Sequence, residues 1–261
     1  MKFQKFNKIP RLSRDCIITE KIHGTNAQIA IFSGKYFQEY IEDCDSQAII
    51  KPDRVQNQED VEKFINKYCL YIHPKTSIAI AGSFDPLTNI TKPLGYDYQE
   101  LYIFAGSKKR WLDCSSNGDN YGFAKWTKEN ASELIKLGQG RHYGEWWGYG
   151  IQHGYGLKEK RYSLFNVGKW CEIHPQVISI DPKTKVKKYQ NICPKCCKVV
   201  PILYKGLFDT QKIEIILNEL KQHGSYAVPG FMNPEGIVIF HQASNHLFKK
   251  TIENDEKPKG K

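Results

Sequence analysis

No apolar run in the 261-residue chain approaches the length of a membrane span. The basic N-terminal stretch MKFQKFNKIPRLSRD lacks the apolar h-region that a secretory signal carries. These two absences predict a soluble protein made and kept in the cytoplasm, with no membrane partner. No internal repeat is evident, which excludes a repeat architecture. The eight cysteines are spread over positions 16, 44, 69, 114, 171, 193, 196 and 197. In a chain neither small nor marked for secretion, that scatter argues against a disulfide framework.

What is present is size, aromatic mass and positive charge. The length allows one large domain or two small ones and a sizeable core. A single domain over 1–261 is the expectation, with an insertion at 38–100 and a cysteine-containing hairpin at 170–198. The formal net charge of +10 points to a polyanionic partner, of which nucleic acid is the commonest. From charge alone, a basic soluble protein without such a partner is an equal reading.

Strand patterns dominate. CIITE and AQIAIF read as a first strand pair, LYIFAG as a strand resuming at 101, and RHYGEWWGYG and RYSLFNV as further strands. EGIVIFH and HLFKKTI close the chain as a pair. Helical spacing places Val61, Phe64, Ile65 and Tyr68 on one face after an Asn57 cap. A helix near 121–137 carries Trp126, Leu134 and Ile135 and stops at Gly138. In DTQKIEIILNELKQHG, Asp209 caps, Ile213, Ile216, Leu217 and Leu220 form the stripe, and Gly224 ends the helix. Strands with a few helices between them predict an α+β fold.

The stretch TEKIHGTN sets Lys21 where a strand enters a loop, with Gly24 permitting a tight turn. A lysine so placed is ordinarily a solvated charge. A nucleophilic one must lose its proton near neutral pH although its free pKa is about 10.4, and burial or a neighbouring cation favours that loss. Other charges stand at apolar strand ends: Lys108, Lys109 and Arg110 in FAGSKKRW, Glu145 in GEWWGYG, Glu235 in NPEGIVIF, and Lys249 and Lys250 in LFKKT.

In this order, these motifs resemble the covalent nucleotidyltransferase superfamily of polynucleotide ligases and mRNA capping enzymes. TEKIHGTN, with His23 where DNA ligases usually carry Asp, looks like the RNA ligase 2 branch. GRHYGEWWGYGIQHGYGLKEKRYSLFNV looks like its short phage and bacterial relatives. The resemblance covers residues 15–35, 101–168 and 198–252. It implies an ATP-grasp-like, ligase-type nucleotidyltransferase core of packed antiparallel sheets with flanking helices and an ATP cleft. The chain ends about ten residues past the paired lysines, so no separate C-terminal OB domain is expected.

The resemblance also implies roles. Lys21 attacks the α-phosphate of ATP and holds AMP as a phosphoramidate. Glu20 and Ile22 line the adenine pocket, partly through backbone groups, and Asn26 positions the phosphate or ribose. Arg110, or Lys108 before it, contacts the sugar and later the phosphate. Glu145 holds the ribose hydroxyls, and Phe165 stacks on adenine. Glu235 works with Mg²⁺, for which Mn²⁺ can substitute, and Lys249 and Lys250 serve the α-phosphate. The two lysines are adjacent, so strand alternation turns them to opposite faces, and Lys249 is the first choice. His23 either touches phosphate or packs in the turn.

The implied activity is an ATP-dependent RNA ligase acting as a monomer on nicked or broken duplex RNA. The alternatives are a DNA ligase or capping guanylyltransferase, or a non-catalytic binding module on a ligase fold. Separately, Cys171-x-x-His174 and Cys193-x-x-Cys196 have the residue types of a structural zinc site. The other reading of these four is ordinary reduced thiols in a surface hairpin.

Overall fold

The computed structural model describes residues 9–33, 58–80, 83–85, 90–92, 95–253 and 255. Along the chain come β1 (Asp15–Lys21), β2 (Thr25–Ser33), α1 (Gln58–Tyr68), β3 (Cys69–Ile80), β4 (Ser83–Asp85), β5 (Ile90–Lys92), β6 (Gly95–Ser107) and β7 (Trp111–Leu112). Next are α2 (Phe123–Glu129), α3 (Ala131–Leu134), β8 (Gly140–Gly148), β9 (Lys160–Leu164), β10 (Trp170–Cys171), β11 (Val177–Ile180), β12 (Lys187–Tyr189), β13 (Asn191–Ile192) and β14 (Cys197–Val199). The last are β15 (Ile202–Leu207), α4 (Thr210–His223), β16 (Gly236–His241) and β17 (His246–Thr251). The class is α+β, as expected. No helix among the described residues is long and apolar enough to cross a membrane.

Two compact units are present: Met1–Gly24 with Trp147–Lys160 and Val200–Lys261, and Thr25–Trp146 with Arg161–Val199. The first holds a four-stranded antiparallel sheet in the order β15-β1-β16-β17. One face of it packs on α4, joining Cys16, Ile18, Ile237 and Ile239 to Ile213, Ile216, Leu217 and Leu220. The helix forms as its sequence dictates: the Asp209 side chain accepts from the Gln211 N–H at 2.8 Å, and Gly224 ends it at φ 80°.

The second unit holds a seven-stranded sheet ordered β14-β9-β8-β2-β6-β3, with β7 paired to β6. The pairs on β2 and β6 are antiparallel, whereas β14 and β9 run parallel. The helical spacing at 58–68 is realised as α1, which buries Phe64 against Phe104 and Trp111. Its Asn57 cap lies outside the described residues. The helix expected near 121–137 is broken into α2, α3 and a 3-10 turn over Ile135–Leu137. At the break, the backbone N–H and the side-chain amide of Asn130 both donate to the Trp126 carbonyl.

His142 of β8 is buried in this unit, with its Nε2 at 2.9 Å from the Gly138 carbonyl oxygen. Burial, with a smaller push from Lys169, lowers its pKa to about 4, and the Gly138 hydrogen bond only partly restores it. The folded imidazole stays neutral while the unfolded one binds a proton below about pH 6.5. Stability therefore falls as pH drops from about 6.5 towards about 4. Urea denaturation of the wild type and His142→Gln checks this. Between pH 7 and 5 the wild type should lose about 2 kcal/mol more than the variant. Parallel losses in both proteins would show that His142 does not carry the effect.

Candidate active site

Lys21 is the last residue of β1 and pairs in register with Gly236, the first of β16. That register sets Glu235 beside it, and the Lys21 Nζ forms an ion pair with the Glu235 carboxylate. The two side chains are 20% and 16% exposed, so the pair is largely but not wholly screened from water. Gly236 is required here. Its φ is 150°, and a Cβ would lie 2.2 Å from the Lys250 carbonyl oxygen.

Strand alternation divides the charges of this sheet. Thr19, Val238 and Lys249 share a row, which places Lys249 on the face that carries Lys21. The two residues are two strands apart, about 10 Å across the sheet, and about 7 Å apart along it. Glu20, Ile237 and Lys250 share the next row, on the face packed against α4. There Lys250 makes an ion pair with Glu214 of the helix.

The Glu20 side chain has a structural engagement that the sequence did not reveal. It is 1% exposed, and its carboxylate accepts from the Ser225 hydroxyl at 2.6 Å and from the Tyr226 and Ala227 N–H groups at 2.9 Å each. Burial raises its pKa, and these three hydrogen bonds pull it back. The carboxylate is thus committed to the turn after α4, leaving only its backbone to face a ligand. Ile22 is buried beside it in sequence. The His23 N–H donates to the Tyr155 hydroxyl at 2.9 Å, and its ring meets that of His153 edge-on at 4.2 Å.

Tyr155 also escaped sequence reasoning. It holds a positive φ of 53° inside the GIQHGYG stretch, wedged between Trp147 and Phe231. A left-handed tyrosine leaves no pattern in a sequence.

In the second unit, Asn26 of β2 and Glu145 of β8 are register partners, and the Asn26 amide donates to the Glu145 carboxylate at 3.3 Å. Gly144 lets β8 lie close to its neighbour, since a Cβ there would fall 2.5 Å from the Ser163 carbonyl oxygen. Phe165 follows β9, half-exposed. The Arg110 guanidinium donates to the carbonyls of Gly118 and Asp119 at 2.8 and 3.0 Å and so braces that loop, whereas Lys108 is exposed.

The zinc reading gains nothing from the geometry. Among the described residues no three His, Cys, Asp or Glu side chains gather as a metal site. The Cys171 thiol donates to the Asn191 carbonyl and the Cys193 thiol to the Cys197 carbonyl, and His174 is exposed.

A protein-family model described as RNA ligase matches residues 14–251, from just before β1 to the end of β17. The chain belongs to the RNA ligase family. No curated protein and no solved structure gives a significant match. The family sets ligation as the type of activity and RNA as the substrate class. Lys21, Glu235, Asn26 and Glu145 all lie inside the matched span of this RNA ligase.

The Glu20 anchorage has a measurable consequence. In Glu20→Gln, the amide oxygen can take the two N–H groups and the NH₂ can donate to the Ser225 hydroxyl oxygen, but all three hydrogen bonds lose the carboxylate's charge. Urea denaturation should show a loss of about 2 kcal/mol. A loss below about 0.5 kcal/mol would mean that the turn after α4 does not depend on the carboxylate.

Proposed function

We propose that this RNA ligase is ATP-dependent and works through a covalent lysyl-AMP. The observation that carries the reading is Lys21 at the end of β1, held against Glu235 at the head of β16. A nucleophile fixed beside a carboxylate on a rigid sheet suits nucleotidyl transfer, which needs positioning and charge neutralisation above all.

The Lys21 amine, once deprotonated, attacks the α-phosphorus of ATP. A P–N bond forms, the bond to the bridging oxygen of pyrophosphate breaks, and pyrophosphate leaves. A 5′-phosphate oxygen of RNA then displaces Lys21, breaking the P–N bond and giving an adenylylated 5′ end. Attack by a 3′-hydroxyl forms the phosphodiester and releases AMP. Lys249 shares the Lys21 face and supplies positive charge for the α-phosphate oxygens. Glu145 accepts from ribose hydroxyls, with Asn26 orienting it, and the Phe165 ring stacks on adenine. Lys108 takes the sugar contact, because Arg110 is engaged by its loop. The backbone at Glu20 and Ile22 contributes to the adenine edge.

The donor set also fits a divalent ion. Glu235 is a partly exposed carboxylate, and among the described residues no group of three or more His, Cys, Asp or Glu gathers as a ready-made metal cage. Mg²⁺ typically takes one protein carboxylate plus phosphate oxygens and water. Glu235 would hold Mg²⁺ or Mn²⁺, which would supply positive charge opposite the phosphate. The substrate we propose is nicked or broken duplex RNA.

Incubation with [α-³²P]ATP and Mg²⁺, followed by a denaturing gel, tests the reading. Wild type should carry label, and Lys21→Ala none. On addition of nicked duplex RNA the label should pass to the 5′ end. Absence of label on protein freed of prebound AMP would sink it. Labelling by GTP instead, or transfer to nicked DNA but not RNA, would redirect it.

A further inference from the structure

β11 and β12 form an antiparallel ribbon joined through residues 181–186. Every residue from 177 to 189 is exposed except Val186, which is half-buried. A two-stranded ribbon with neither face covered has no packing reason to exist, yet its base is firmly held. Gln190 is buried and donates to the Val167 carbonyl at 2.6 Å, and its side-chain oxygen accepts from the Gln176 N–H. The Asn191 N–H donates to the Lys169 carbonyl.

The charge on the ribbon is one-sided. Lys183, Lys185, Lys187 and Lys188 stand against one acid, Asp181. That acid is used internally: its carboxylate accepts from the Lys183 and Thr184 N–H groups at 2.8 and 2.7 Å and shapes the tip. None of the four lysines has an ion-pair partner among the described residues. On one face, cross-strand rows place Val177 beside Tyr189 and Ile180 beside Lys187. Lys188 turns to the other face beside Ser179, and its charge is felt by Lys169 at the base. The result is an anchored arm with an unopposed positive tip and an exposed tyrosine. Nucleic acid, with phosphates for lysines and bases for an aromatic ring, matches that chemistry.

We infer that the β11–β12 arm is an RNA-docking element that holds the phosphate backbone of the substrate through Lys183, Lys185, Lys187 and Lys188. This rests on the proposed RNA-sealing function for its substrate, but not on lysyl-AMP chemistry.

The test is a variant with all four lysines changed to glutamine. All four are exposed, so its thermal midpoint should match wild type. Fluorescence anisotropy with a nicked RNA duplex, across a salt series, reads affinity and its salt slope. Each phosphate contact contributes roughly 0.9 to the slope for B-DNA and somewhat less for single strands, so losing four should flatten it by roughly 3. Affinity near 0.1 M salt should fall on the order of 100-fold. Self-labelling by [α-³²P]ATP, which needs no RNA, should be unchanged. Equal RNA affinity and slope in variant and wild type would overturn the inference, including when the variant instead loses self-association or binding to anionic lipid vesicles. If wild type fails to self-label while the variant still loses RNA, the arm stands and the lysyl-AMP reading falls.

Discussion

Neighbouring residues on a β-strand must point to opposite faces of the sheet, and the first unit is organised by that constraint at Glu20 and Lys21. Glu20 faces α4 and is consumed by structure, its carboxylate filled by Ser225, Tyr226 and Ala227. Lys21 faces the other way and meets Glu235. The same alternation separates Lys250, tied to Glu214, from Lys249. In each adjacent pair, one side chain is tied to the helix side of the sheet and the other stands on the opposite face. A one-residue slip in the β1–β16 register would exchange the roles. Gly236 guards against it, because no other residue fits under the Lys250 carbonyl.

The second unit uses register in another way. Asn26 and Glu145 come together only because β2 and β8 pair antiparallel, 119 residues apart in the chain. Glu145 is buried, so an amide donor at hydrogen-bonding distance holds one carboxylate oxygen in a set direction and limits the cost of burial. Arg110 does comparable work on its loop through two backbone carbonyls. A guanidinium spread over two acceptors is a good brace, and a poor candidate for a second, changing partner.

Local features were legible in the sequence and long-range partners were not. Asp209, the apolar stripe and Gly224 declare α4 because caps and period act within a few residues. Lys21, Glu235 and Lys249 were marked by motif and alternation. The break at Asn130 was invisible because Trp126, Leu134 and Ile135 fit a helical period on either side of it. The engagements of Glu20 and Arg110 depend on a turn and a loop that no spacing predicts. Tyr155 was missed for two reasons: its positive φ is strained for a tyrosine, and its hydroxyl serves a backbone N–H 132 residues away. The zinc reading draws no support from the described residues: the Cys193 N–H donates to the Cys171 carbonyl, so the two segments meet through backbone, and no three candidate ligands gather there.

The Lys21–Glu235 pair sets position more than stability. At 20% and 16% exposure the two charges give up much of their hydration to meet, and the attraction between them is largely spent on that cost. What remains is direction. A lysine side chain has many rotamers, and the carboxylate that the β1–β16 register brings beside it holds the amine at one place over the sheet. The lysyl-AMP mechanism we propose has to exchange this contact, because an amine tied to Glu235 must leave the carboxylate to reach a phosphorus atom. In that proposal the ion pair is a positioning contact that an arriving nucleotide would replace.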